Sequence, residues 1–267
     1  MKFRARGRPL FSAATVVLFL AVSGGGAYAQ GGRGGAAPAP ANAKAAAAVD
    51  VTGYWVSLIV DEWRFRVTPQ KGDILYLPIN NEARRVANEW DPARDESDGK
   101  SCKAYGAVGV MQRPGRLHIA WENDNTLRID ADSGTQTRLL HFGPPPAQKG
   151  EPSWQGFSAA QWVPPGLTRG RGLGMPAANA QSGTGTLRVV TTNMLPGYIR
   201  KNGVPYSANA VLTESFNRVT GGDGQVYMVV TTQVDDPAYL VQPFLRTYTF
   251  KKQDDASGWD PTPCWPR

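Results

Sequence analysis

The sequence predicts an all-β chain with one or two short helices, folded as an antiparallel meander that closes into a barrel or curls into a sandwich. Two observations carry that expectation. Segments rich in aromatic and β-branched residues recur along the chain: Thr52–Val60 (TGYWVSLIV), Thr186–Met194 (TLRVVTTNM), Val226–Val234 (VYMVVTTQV) and Leu240–Lys251 (LVQPFLRTYTFK). Turn clusters such as Gly221-Gly222-Asp223-Gly224 and Asp235-Asp236-Pro237 separate them. Connections this short favour neighbouring strands that run in opposite directions.

The chain opens as an export signal. Lys2, Arg4, Arg6 and Arg8 precede the apolar run Ala13–Val22, and Ala27-Tyr28-Ala29 forms an A-x-A cleavage signature before Gln30. The run is well under the ~20 residues a membrane span needs. Residues 1–29 are therefore expected to be a signal peptide. Residues 30–48 are Ala, Gly and Pro with almost nothing to bury, and read as a disordered leader. One domain is expected over 49–267, with a flexible surface loop at 164–185 that contains Arg169-Gly170-Arg171-Gly172.

Removing the signal changes the charge. The chain has 29 Lys+Arg and 22 Asp+Glu, and four of the basic residues belong to residues 1–29, which leaves 25 against 22. So small an excess makes no case for nucleic-acid binding. The expected localisation is periplasmic or secreted, with no stable membrane insertion after cleavage.

Asn80–Trp90 (NNEARRVANEW) predicts a helix, with an Asn cap and Glu82 in its first turn. Asp91-Pro92 ends it and starts a second short helix through Asp98. Cys102 and Cys264 are the two cysteines. In an oxidising compartment they are expected to pair. The bridge would close a loop of about 160 residues and tie the helical region to the C-terminus.

The segment Leu117–Phe142 allows the register to be argued. Leu117, Ile119 and Trp121 alternate with His118, Ala120 and Glu122; after Asn123-Asp124-Asn125, Leu127, Ile129 and Ala131 alternate with Thr126, Arg128 and Asp130. A three-residue loop pairs Glu122 with Thr126 and places every apolar residue on one face. A three-residue turn at Asp132-Ser133-Gly134 then pairs Ala131 with Thr135, which sets Arg128 opposite Arg138 and Asp130 opposite Gln136. In that register His118 lies opposite Asp130 on the polar face. His141 falls on the apolar face near Trp121. The two histidines would point to opposite sides of the sheet, so no shared metal site is expected.

Two further segments stand out. Ala210–Val219 alternates so that Leu212, Glu214, Phe216 and Arg218 share a face, which predicts a Glu214–Arg218 ion pair or an acid of raised pKa. Tyr198–Tyr206 (YIRKNGVPY) carries an Asn-Gly turn between two tyrosines and reads as a hairpin connection or a lid. The chain has no G-x-S-x-G elbow, phosphate-binding glycine loop, H-E-x-x-H or EF-hand loop.

Several pieces together resemble a group of exported, lipocalin-like β-rich proteins of Gram-negative bacteria. They are Thr52-Gly53-Tyr54-Trp55, the Glu-Ala-Arg-Arg helix with Trp90-Asp91-Pro92, Cys102 before Val110-Met111, Thr126–Arg138 (TLRIDADSGTQTR), Ala210–Arg218 (AVLTESFNR) and Val234–Phe244 (VDDPAYLVQPF). The resemblance implies a lipocalin-like barrel and carries over no catalytic residue.

The expected function is binding of a small amphipathic or anionic ligand, with no cofactor. Trp55, Trp121 and His141 would wall an apolar cavity, and Arg128 and Arg138 would grip an anion, because a guanidinium fork bonds carboxylates bidentately. The alternative is cofactor-independent acid/base catalysis by an isomerase, lyase or hydrolase. In that case His118 beside Asp130, or Glu214, would move the proton.

Overall fold

A computed structural model of the chain describes residues 40–60, 62–67, 69–146, 149–165 and 185–266. The expected signal peptide, residues 30–39 of the leader and most of the 164–185 loop lie outside the described residues.

The strands are β1 (Gly53–Leu58), β2 (Arg116–Asn123), β3 (Thr126–Ala131), β4 (Gln136–Phe142), β5 (Phe157–Val163), β6 (Thr186–Thr192), β7 (Gly197–Arg200), β8 (Val204–Tyr206), β9 (Val211–Thr220), β10 (Val226–Asp235) and β11 (Phe244–Gln253). Nine of them close a barrel in the order β1-β11-β10-β9-β6-β5-β4-β3-β2, and β7 and β8 form a separate hairpin around Asn202-Gly203. The expected meander closes with one departure. An odd ring of strands cannot alternate direction all the way round. Here β4 and β5 run parallel, joined by the crossover 143–156. A parallel pair needs a connection of this length rather than a tight turn.

Alternate residues of each strand point inward. Trp55, Ile119, Leu127, Leu140, Phe216 and Phe250 are almost fully buried in the centre of the barrel. The Trp55 indole donates from Nε1 to Val51 O at 2.9 Å, so its one polar atom is satisfied. Residues 40–48, expected to be disordered, are instead laid across one mouth. Lys44 N donates to Asp124 O, Ala43 N to Asn125 Oδ1, and Trp162 Nε1 to Ala43 O. Composition made this segment look unstructured; the open barrel end supplies hydrogen-bond partners from other parts of the chain.

Between β1 and β2 lie α1 (Trp63–Val67), α2 (Asn81–Glu89), α3 (Pro92–Ser97), a 3-10 turn (Ser101–Tyr105) and α4 (Ala107–Val110). The expected caps are in place: Asn80 Oδ1 accepts from Ala83 N at 2.9 Å, and Asp91 Oδ1 from Ala93 N at 3.0 Å with Pro92 in the first turn. Asp95 ties the block together, accepting from Trp90 Nε1, Lys103 Nζ and Tyr198 OH. A second core forms where Ile79, Ala83 and Ala87 meet Val204, Tyr206 and Phe244. Cys102 and Cys264 are bonded, their Cα atoms 5.1 Å apart. Such a bridge fits a chain that works outside the reducing cytoplasm.

The first hairpin has the expected register from Leu117↔Ala131 to Trp121↔Leu127. Glu122 does not pair with Thr126. A bulge at Glu122 leaves Asn123 opposite Thr126 across a two-residue turn. The second hairpin corrects the sequence reading by one position, since Ala131 pairs with Gln136, Ile129 with Arg138 and Leu127 with Leu140. The turn contains four residues, Asp132–Thr135, with Gly134 and Thr135 both at positive φ (79° and 49°). The C-terminal segment holds it. Thr262 N donates to Asp132 O, Thr135 Oγ1 donates to Thr262 O, and the Asp132 carboxylate accepts from Arg116 N and Ser133 N. The Tyr105 ring lies against Gly134, leaving no room for a Cβ.

The slip reverses the faces of β4. Arg138 turns into the barrel, so it does not oppose Arg128, and His141 turns outward, away from Trp121. Inside, Arg138 meets Glu214: Nη1 donates to Oε1 at 3.1 Å and Nη2 to Oε2 at 2.5 Å, with the two side chains 2% and 0% exposed. Ser158 Oγ and Thr191 Oγ1 complete the cluster at 3.5 and 3.3 Å from Nη2. The expected Glu214–Arg218 pair is absent, because Arg218 sits at the exposed end of β9 while a buried fork arrives from β4.

Breaking a buried pair strands the surviving charge. Arg138→Met and Glu214→Leu should each lower stability by about 3–5 kcal/mol, and the double variant should recover most of that loss. Urea denaturation of the three variants measures this. Equal, additive losses in the double variant would show that the two side chains are not energetically coupled.

Candidate functional site

Four strands contribute one residue each to a row across the outside of the barrel. Tyr54 pairs with His118, His118 with Asp130, and Asp130 with Thr137. The C-terminal strap runs beside this row and presents Trp259 and Pro261. Row and strap enclose a groove of about 320 Å³ that also takes in Arg128, Thr135 and Gln136. That volume lies at the lower end of small-molecule sites.

The groove has an aromatic wall. Tyr54 and His118 stack with centroids 4.3 Å apart and planes 13° apart. Trp259 meets both edge-on, at 6.2 Å from Tyr54 and 6.5 Å from His118. Its opposite side is charged. Arg128 Nε donates to both carboxylate oxygens of Asp130 (3.0 and 2.8 Å), and Thr137 Oγ1 donates to Asp130 Oδ1 at 2.6 Å. Hydrogen bonding to Asp130 raises the Arg128 pKa further, so Arg128 stays charged. Asp130 spends its acceptors on Arg128 and Thr137. Among the described residues no hydrogen bond joins it to His118, although the two are cross-strand partners. His118 thus has the position expected of it but lacks a carboxylate to orient the ring.

The other candidate residues are dispersed. Trp55 is fully buried under the Lys252 ammonium, which lies 4.6 Å from the ring centroid. Trp121 packs with Phe142 and Trp162 at the covered mouth, where a second concavity of about 340 Å³ is lined by Lys44, Asp50, Trp121 and Trp162. Arg138 and Glu214 neutralise each other in the core. His141 stacks on Phe157, centroids 5.2 Å apart, on the outer surface. His118 and His141 therefore share the outer face, correcting the opposite-face reading. They stand four β3 positions apart, at Asp130 and Thr126. No group of three or more metal-ligating side chains occurs among the described residues.

Two contributors escaped the sequence reading. Tyr54 lies in the strand segment Thr52–Val60, but its partner His118 is remote in sequence. Trp259 lies in SGWDPT, which has no period to read, and the disulfide and the Thr262 hydrogen bonds to the Asp132–Thr135 turn bring that segment back to the barrel. Comparison with protein-family models, with curated proteins and with solved structures finds no match for this chain.

Desolvation against Phe157 holds the His141 pKa below the ordinary histidine value. The folded state therefore prefers the neutral ring, so stability present above about pH 6.5 is lost as pH falls through the folded pKa. His141→Phe should remove this component. Relative to wild type, its urea midpoint should rise between pH 7.5 and pH 5; a constant difference across that range would reject the assignment.

Proposed function

We propose that the chain is an exported, periplasmic or secreted β-barrel that binds a small planar amphipathic molecule bearing an anionic group. The ligand lies in the outer groove. The observation that carries this reading is the cross-strand stack of Tyr54 on His118, walled by Trp259 and flanked by the charged Arg128. Aromatic faces favour a flat apolar body, and a guanidinium edge favours a carboxylate or sulfonate. Asp130, itself held by Thr137, fixes Arg128 Nε, and Glu122 Oε2 lies 3.6 Å from Arg128 Nη1, so Nη2 is the donor turned toward a ligand.

The export signal and the Cys102–Cys264 bridge support extracytoplasmic work. Side-chain polarity supports a water-facing barrel. Apolar residues point inward while Arg128, Asp130, Thr231 and Thr247 point out, the reverse of a membrane-spanning barrel. No nucleic acid, metal or cofactor enters the reading. Binding is preferred to acid/base catalysis because the Asp130 carboxylate is committed to Arg128 and Thr137 instead of orienting His118.

2-Naphthoate is a suitable probe, with neutral 2-naphthol as its control. Titration calorimetry should show naphthoate binding that Trp259→Ala abolishes and Arg128→Ala weakens about two- to fivefold, the range of an exposed ion pair. Naphthol binding should be insensitive to Arg128→Ala. Unchanged naphthoate affinity in Trp259→Ala would sink the groove assignment.

A further inference from the structure

Among the described residues, the barrel end remote from the 40–48 segment buries an excess of positive charge. Arg113, in the link between α4 and β2, is 4% exposed, yet Nε, Nη1 and Nη2 have no hydrogen-bond partner among the described residues. Among the described residues, the charges that act on it electrostatically are those of the phenols Tyr105 and Tyr248 and the cations Arg66, Arg200 and Lys201. Arg200, 2% exposed, stacks its guanidinium 4.1 Å from the Phe65 centroid and leaves Nη1 unpartnered. Among the described residues two carboxylates act on Arg200: Glu62, engaged by Arg200 Nη2 at 3.2 Å and Arg246 Nε at 2.9 Å, and Asp73, paired with Arg64 at 2.7 Å. Arg66 donates to Gln112 O, Leu58 O and Ser57 Oγ, so it is already engaged.

Such an arrangement is unfavourable by itself. A buried unpaired cation costs several kcal/mol, and an arginine does not escape the penalty by losing its proton. Burial lowers the Arg113 pKa to about 10, which still leaves it charged at neutral pH. Burial and the neighbouring Arg113 lower Lys201 to about 8. Each of these penalties is relieved by one anion that offers several acceptors to planar guanidinium donors.

We propose that this end of the barrel is a binding site for a tetrahedral oxyanion, either inorganic phosphate or the phosphate of a small monoester. Arg113 is its principal ligand. Arg200 Nη1 and the Lys201 ammonium, which lies 5.9 Å from the Tyr105 ring centroid, are further donors. Phosphate suits the site because its oxygens accept from a guanidinium fork bidentately while others remain for an ammonium. The site is separate from the Trp259 groove and shares no side chain with its lining.

The full-length mature chain, prepared without phosphate or sulfate, is titrated calorimetrically with inorganic phosphate and with phenyl phosphate, ionic strength held constant with sodium chloride. One site should appear. Arg113→Gln should weaken it about tenfold or more, as expected for loss of a buried charged hydrogen-bonding partner. Lys201→Met should weaken it less, and Arg128→Ala should leave it unchanged. Phenyl phosphate binding as tightly as phosphate marks a monoester site; binding of inorganic phosphate alone marks a free-oxyanion site. If Arg113→Gln does not fold, Lys201→Met and the phosphate-dependent rise of the wild-type melting temperature carry the test. Absence of both heat and thermal shift in wild type overturns the proposal, as does equal affinity in the Arg113 or Lys201 variant.

Discussion

The four-residue turn Asp132–Thr135 decides which side chains this barrel encloses. A strand's faces have period two, so one added residue in a turn exchanges every inward position of the next strand for an outward one. With Thr135 in the turn, Arg138 and Leu140 enter the interior, and His141 is turned out to Phe157. The turn has this length because other parts of the chain grip it. Thr262 bonds to both its ends, Tyr105 closes against Gly134, and the Cys102–Cys264 bridge keeps the last segment in reach. A bridge spanning 162 residues thereby helps to hold the segment that grips a short hairpin turn.

The barrel's polar chemistry follows from that choice. A guanidinium placed in the interior requires a carboxylate, and Glu214 arrives from β9 to meet it, with Ser158 and Thr191 filling in the hydrogen bonds. The pair adds specificity to the closure by requiring that β4, β5, β6 and β9 reach the same point. The same slip frees Arg128 from a like-charged neighbour. On the outer face Arg128 instead faces Leu139 across the ladder and takes Asp130 as its partner. The outer groove is thus a by-product of the register that buries Arg138, completed by the strap that fixes that register.

Charge is distributed very unevenly. The Arg138–Glu214 pair at the centre is neutral, and on the outer face Arg128 is paired with both Asp130 and Glu122. The end near Arg113 and Arg200 is overloaded with cations. Nothing in the folding of the barrel requires Arg113 to be there unpaired, since an apolar side chain of similar volume would pack without that penalty. Unpartnered buried donors of this kind are uncommon in folded chains.

Much of this architecture is local and could be read directly from residue order. The strand periods of 186–192 and 226–235, the caps at Asn80 and Asp91, the disulfide and the pairing of Leu117–Trp121 with Leu127–Ala131 all depend on near neighbours or on there being two cysteines. His118 opposite Asp130 was legible for the same reason. Interactions between segments far apart in the chain were not legible. The partner of Glu214 is 76 positions away, Tyr54 reaches His118 across 64, and the Asp132–Thr135 turn takes its length from residues near the C-terminus. Such choices carry no period or motif, because side chains drawn from separate strands settle them only once the ring has closed.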